Sequence, residues 1–230
     1  MTTRLAIIGM GKMGRAIDQL AAERGCEIVA RIDVPETGKG LTAAMLNGAQ
    51  VAVEFTTPSS APANVRALID TGIPTVVGTT GWYEALPGIE RQVKERNGAL
   101  LTATNFSIGV NAFEAILRQA AAILSKTGGF DAHMMELHHA AKADSPSGTA
   151  TTLEKAAAAA WGKPIPITSV RTGSIPGTHE VIFDAPFETI RLAHVARDRR
   201  VFAEGAIVAA KWLVGKRGMF TMKDVIQSKG

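Results

Sequence analysis

The opening of the chain leaves few choices of fold. Arg4-Leu5-Ala6-Ile7-Ile8 is a short apolar run of the kind shown by a parallel strand buried on both faces. Gly9-Met10-Gly11-Lys12-Met13-Gly14 follows at once, and Arg15 to Arg24 then has helical periodicity, stopped by Gly25. A second strand, Cys26 to Ile32, ends in Asp33, nineteen positions after Gly14. This is GxGxxG between a strand and a helix. The first glycine permits a tight turn, the second lets a pyrophosphate approach the backbone, and the third lets helix pack close on strand. An acid at Asp33 suits the 2′-hydroxyl of a ribose. The order strand, glycines, helix, strand, acid points to a dinucleotide-binding fold.

The next segments continue the alternation. Pro35 to Gly48 reads as a loop with a short helix, and Gln50 to Phe55 as a third strand closed by Thr56-Thr57-Pro58. A helix over Ser60 to Thr71 leads to strand Ile73 to Val77 and the turn Gly78-Thr79-Thr80-Gly81. Tyr83 to Arg96 is helical, and Ala99 to Thr104 is a fifth strand before helix Val110 to Ser125. Beyond Gly129 the pattern changes. Phe130 to Leu137, Thr168 to Thr172, Thr178 to Phe183 and Glu188 to Val195 read as strands around one alanine-rich helix, Thr151 to Trp161. The expected class is α/β, a Rossmann-type doubly wound parallel sheet, followed by an α+β domain with a largely open mixed sheet. The expected domains are 1–106 for the dinucleotide and 107–204 for substrate and oligomerisation, with a C-terminal helix over about 205–230 packed back on the first.

The second half carries its chemistry in His138-His139-Ala140-Ala141-Lys142-Ala143-Asp144-Ser145-Pro146-Ser147-Gly148-Thr149-Ala150. Two histidines and a lysine stand between a strand end and a helix start. Unpaired N–H groups and the dipole make a helix start receptive to anions, and histidine titrates near neutrality. A pocket that holds a carboxylate or phosphate and delivers a proton is one reading. A polar turn capped by Ser147 or Thr149 is the other. No cluster has structural-zinc spacing, and no metal is expected. The single cysteine, Cys26, sits in an apolar strand, excludes an internal disulfide and fits a reducing cytoplasm. No apolar run approaches membrane-spanning length and the start carries no signal-peptide pattern, so a soluble cytoplasmic protein is expected. The net charge of +4 with only 5% aromatics gives no stacking platform for nucleic acid, and suits an anionic small molecule equally well.

With both halves in view, the sequence resembles the dihydrodipicolinate reductase (4-hydroxy-tetrahydrodipicolinate reductase) family of lysine and diaminopimelate biosynthesis. The resemblance rests on Glu136-Leu137-His138-His139, Lys142, Asp144 and Pro146 to Ala150. The glycine loop, Gly78 to Gly81, Asn105 to Asn111, Arg171-Thr172-Gly173, Gly177-Thr178-His179 and Phe202 to Ala206 support it. It implies reduction of a dicarboxylate imine by NADH or NADPH with loss of water, in a homotetramer built through the open sheet. It also implies that His138 and Lys142 are the proton donors, with His139, Ser147, Gly148 and Thr149 holding substrate. Cofactor contacts are expected from Gly9, Met10, Gly11, Lys12, Met13, Gly14, Asp33, Gly78, Thr79, Thr80, Ala103, Thr104, Asn105 and Phe106.

The chain departs from the family in being short between Asp33 and Gln50 and in the loops of its second half. Ala140 and Ala141 replace bulkier or basic residues. Val34 stands where a basic residue for the 2′-phosphate often follows the acid, which leaves the cofactor open on that ground. Asp33, which can bond both ribose hydroxyls and would repel a 2′-phosphate, makes NADH the favoured cofactor, with Lys12 and Arg31 as the groups that could offset part of that repulsion. A homoserine- or aspartate-type dehydrogenase, or a non-enzymatic dinucleotide sensor, would share the first half but has no use for His138-His139 with Lys142.

Overall fold

The computed structural model describes residues 2–33 and 40–228. The chain forms two compact units, one of residues up to Ile108 together with those from Arg200 onward, the other Gly109–Arg199. In the first, strands β1 (Thr3–Ile8), β2 (Cys26–Ile32), β3 (Val51–Glu54), β4 (Thr75–Val77), β5 (Ala99–Thr102) and β10 (Gly218–Phe220) make one sheet. Its order is β10-β5-β4-β3-β1-β2 and every pairing is parallel. The chain turns back at β1, so the switch point lies between the carboxyl ends of β1 and β3, where open α/β sheets bind ligands.

Side chains alternate between the two faces of each strand. Leu5, Ile7, Val51 and Val53 join α1 (Lys12–Ala21) and α6 (Arg200–Leu213) on one face. Ala6, Ile8, Ala52, Val77 and Leu100 lie among the clusters of the other, which draw on α2 (Ala61–Asp70) and α3 (Leu86–Glu95). Face α6 is made of small residues, Ala203, Gly205, Ala206, Ala209 and Ala210, all buried. A Cβ on Gly205 would lie 1.7 Å from the carbonyl oxygen of Phe106, so glycine there is a packing requirement.

Several expectations need correction. Helix α1 starts at Lys12, inside the glycine loop, and a 3-10 turn at Ala22–Arg24 separates it from Gly25. Residues 43–48 form turns where a short helix was expected. Val34, and with it most of the first half of the Pro35 to Gly48 loop, lies outside the described residues. The single helix expected over about 205–230 is α6, then strand β10, then α7 (Met222–Gln227). Three residues are too few for β10 to show a period, and its identity comes from pairing with β5.

In the second unit β6 (Asp131–His138), β7 (Ile167–Arg171), β8 (Thr178–Ala185) and β9 (Glu188–Val195) form a mixed sheet of order β7-β6-β8-β9. Only β6 and β7 are parallel. Helices α4 (Ile108–Thr127) and α5 (Gly148–Trp161) supply Phe113, Leu117, Ala121, Leu153, Ala157 and Trp161 to its core, against Met134, Val181 and Phe183. The alternate residues Met135, Leu137 and Ile182 stay half-exposed on the opposite face. No helix among the described residues is long and apolar enough to cross a membrane.

Candidate active site

Strand periodicity assembles the polar centre of the second unit. Met134, Glu136 and His138 share the buried face of β6, and His179, Val181 and Phe183 share that of β8. The apolar members fill the core and the polar ones gather at one end, because Glu136 pairs across the ladder with His179 and His138 with Arg171. Glu136 is fully buried and accepts hydrogen bonds from Arg171 Nη2 at 2.6 Å and from the Ser147 N–H at 3.3 Å. Its other oxygen meets His138 Nδ1 in a short contact. Burial alone would push this carboxyl up, but the Arg171 guanidinium and the other donors bring it down to about 2.

His138 is 7% exposed. Burial lowers its affinity for a proton, Glu136 raises it, Lys142 and Arg171 lower it again, and the net shift is down from the ordinary histidine value. His179 is brought down to about 4, first by burial and then by His138. It is therefore neutral at pH 7. Its Nε2 lies 3.3 Å from Ser147 Oγ, and that oxygen accepts the Ala150 N–H at 3.1 Å as the cap of α5. With Oγ accepting from the helix, its own O–H is free to donate to His179. Ser147 is thus the cap, as one of the two readings had it, and Thr149 is a half-buried residue of the first turn.

Lys142 Nζ donates to Asp144 Oδ1 at 2.6 Å, and Asp144 Oδ2 accepts the N–H of Gly148 at 3.3 Å. An internal carboxylate therefore lies on the lysine and helix-start donors expected to hold a substrate anion. His139 stands apart from this group, with its Nε2 3.2 Å from Arg199 Nη2. Since the guanidinium can only donate, that ring nitrogen is the acceptor. Glu136, His138 and His179 place ligand atoms within 4.8 Å of one another. Arg171 already satisfies Glu136, and a cation there would sit against the guanidinium. The donor set suits a hydrogen-bonded network better than a metal.

The first unit presents a second concave site at the switch point. A cavity of about 390 Å³ is lined by Gly11, Lys12, Met13, Phe55, Thr56, Pro58, Gly78, Thr79 and Thr80. Helix α1 opens on Gly11 with no side-chain cap and no acid in its first turn, so its leading N–H groups are left for an anion. A Cβ on Gly11 would meet nothing within 4 Å, whereas one on Gly9 would lie 2.2 Å from the Phe55 carbonyl oxygen and one on Gly14 2.0 Å from that of Gly9. Two glycines are packing requirements and the middle one keeps the approach open, which fits a pyrophosphate. Asp33 Oδ1 accepts the Met10 N–H at 3.2 Å, which draws the acid to the same loop. Under the cavity, buried Glu54 accepts from Thr79 Oγ1 at 2.7 Å and from Thr56 Oγ1, tying the loops after β3 and β4 together. Burial pushes the Glu54 carboxyl up against these hydrogen bonds.

Of the residues expected at the cofactor, Gly11, Lys12, Met13, Gly78, Thr79 and Thr80 line this cavity, whereas Gly9, Met10, Gly14, Asp33, Ala103, Thr104, Asn105 and Phe106 do not. The Phe106 side chain belongs to the core, 5.6 Å from the Phe55 ring, and Asn105 caps the Ser107 N–H at 2.8 Å. Arg31 is held by Asp18 through two bonds of 2.8 and 2.7 Å, which leaves Lys12 as the cation on the cavity wall. Nothing in the local sequence marks a chemical role for Glu54, Phe55, Glu136, Arg171 or His179. Glu136 and Arg171 were legible only as parts of motifs. A buried carboxylate is revealed by alternation once β6 is known to have an inward face.

Known proteins resemble this chain along its whole length. The family model for the dihydrodipicolinate reductase N-terminus matches residues 3–106, and that for the C-terminus matches residues 109–226. The 4-hydroxy-tetrahydrodipicolinate reductase of Thiobacillus denitrificans is 35% identical over the full length of both chains. That of Christiangramia forsetii is 34% identical over 96% of this chain and 97% of its own. Among solved structures, a dipicolinate-bound dihydrodipicolinate reductase from Paenisporosarcina sp. TG-14 shares the fold, with a TM-score of 0.81 at 23% identity over 96% of this chain and 98% of that one. From both family models and from identity along the whole length, the chain belongs to the dihydrodipicolinate reductase family.

Proposed function

We propose that this chain reduces 4-hydroxy-tetrahydrodipicolinate to tetrahydrodipicolinate, with NADH or NADPH as the reductant and water as the second product. The observation that carries this reading is the cluster of His138, Lys142 and the start of α5 within the second unit. One stretch of chain there offers a histidine, an ammonium and helix N–H groups to a dicarboxylate. When bound, the nicotinamide supplies the hydride, the hard part of the reaction. Gly11, Lys12, Thr79 and Thr80 would hold its phosphates and Asp33 its ribose. In the second unit the Gly148 and Thr149 backbone would take a substrate carboxylate in place of that of Asp144, with Ser147 and His139 at the rim. Departure of the C4 hydroxyl as water consumes a proton, which His138 and Lys142 are placed to provide.

Purified protein should oxidise NAD(P)H only when the imine is generated in situ. Oxidation with aspartate semialdehyde or oxaloacetate and ammonia, but not with the imine, would favour another dehydrogenase. Binding of the dinucleotide without turnover would favour a sensor. Asp33 bonds ribose hydroxyls and repels a 2′-phosphate, while Lys12 on the cavity wall offsets part of that repulsion. NADH is therefore the expected preference, by about tenfold or less in kcat/KM. A strong NADPH preference that fades with salt would overturn this. The half-exposed Met135, Leu137 and Ile182 face supports assembly through the open sheet; a homotetramer is the expected form, which light scattering of the purified protein would test.

A further inference from the structure

The most constrained charged group in the second unit has no part in the reading above. Glu136 is fully buried, and its own strand and two other stretches of the chain supply its partners. Its Oε2 meets His138 Nδ1, and its Oε1 takes both Arg171 Nη2, at 2.6 Å, and the Ser147 N–H, at 3.3 Å. The same Arg171 nitrogen also donates to the carbonyl oxygen of Asp144 at 2.6 Å, and the Asp144 carboxylate holds Lys142 Nζ at 2.6 Å. One carboxylate thus reaches the histidine directly and the lysine through an arginine and a loop carbonyl. A carboxylate needed only to fill space would be an expensive choice here, since burying it requires this whole set of donors.

We propose that Glu136 and Arg171 are positioning residues for proton delivery. Glu136 fixes the His138 ring with its Nδ1 turned inward, which leaves Nε2 as the delivering atom. Arg171 holds the Lys142–Ser147 loop against the same carboxylate. The proposal rests on the reading that His138 and Lys142 deliver the proton. Nε2 of His138 bonds to no group among the described residues and faces Gly177, where a Cβ would lie 3.1 Å away, so the missing side chain is what leaves that nitrogen its space. The groups facing the ring are Glu136 from its own strand, Arg171 from β7, His179 from β8, and Lys142, with Asp144 paired to it, from the loop. Burial, Lys142 and Arg171 all depress the affinity of His138 for a proton, and Glu136 alone raises it. Without that carboxylate the ring would hold its proton less tightly still.

The test is the pH dependence of imine turnover by the full-length protein. In Glu136→Gln, kcat should fall by about thirtyfold or more, within the range for a mispositioned general acid. The imine KM and the NADH Kd should stay within about threefold, because Glu136 bonds neither the Gly148 and Thr149 N–H groups nor the first unit. The basic limb of kcat should move to lower pH by about one unit. Glu136→Asp keeps the charge but shortens the reach, so it should lower kcat with the limb near its original place. Should Glu136→Gln fail to unfold cooperatively, Glu136→Asp carries the test. Wild-type kcat with an unmoved limb in Glu136→Gln, or undiminished kcat in Glu136→Asp, would overturn the proposal. Absence of imine-dependent turnover in wild type, or full kcat in His138→Gln, would instead remove the reading on which it rests.

Discussion

At the scale of single residues, the glycines divide by what a Cβ would meet. Gly148 has open space within 4 Å, so a side chain there disturbs nothing inside the protein. Gly148→Val should therefore keep the wild-type Tm, raise the imine KM at least tenfold, and weaken inhibition by a planar pyridine dicarboxylate, since the anion could no longer reach the helix N–H groups. Unchanged inhibition would count against the carboxylate seat. His179 makes a second residue-scale prediction. Its value falls from 6.5 to about 4 on folding, so between those pH values the unfolded chain binds more protons than the folded one. Stability must then decline as pH falls from about 6.5 to 4, by up to about 3 kcal/mol from this ring. Glu136 adds a second loss between 4.5 and about 2, as its depressed carboxyl is protonated. Thermal unfolding at pH 7.5 and pH 5 should show His179→Gln losing clearly less Tm than wild type. Equal losses would mean that the ring is not held neutral.

At the scale of elements, close approach of backbones makes the sharpest demand. Gly205→Ala would put a methyl 1.7 Å from the Phe106 carbonyl, and backbone cannot yield as a side-chain tip can. The variant should lose more than 2 kcal/mol by chemical denaturation, in the range of overpacked cores. A loss below 0.5 kcal/mol would show that α6 shifts freely. The same scale explains what could be read from the sequence. Long strands and helices with a clear period, such as β2, β9 and α5, were legible, and so were the glycine loop and the His138 to Thr149 stretch. Helix α1 was placed late because Lys12, Met13 and Gly14 look like loop in a glycine-rich run, yet they carry helical backbone. Strand β10 was invisible because its three residues are defined by a partner more than a hundred positions away. Glu136, Arg171 and His179 could be seen as letters of motifs, but their convergence depends on ladder register, which no local pattern encodes.

At the scale of the whole molecule, the first unit is discontinuous and the second is not. Residues from Arg200 give the parallel sheet an edge strand, a helix of small residues against α1, and the capped helix α7, whose Thr221 and Asp224 bond reciprocally. Ending the chain at Val214 would bare the β5 edge and remove Met222 and Val225 from the core. Such a protein should lose dinucleotide affinity at least tenfold and aggregate, read by fluorescence titration and light scattering. Dinucleotide affinity kept at the wild-type level would show the edge to be dispensable. The same discontinuity bears on birth of the protein. A ribosome delivers the glycine loop well before residues 200–228, and until those emerge the sheet that supports the loop lacks one edge strand and one helix. Residues 109–199 are complete before then, so the part made second is free to finish first. The unit that holds the glycine loop is begun ahead of residues 109–199 and completed only after them.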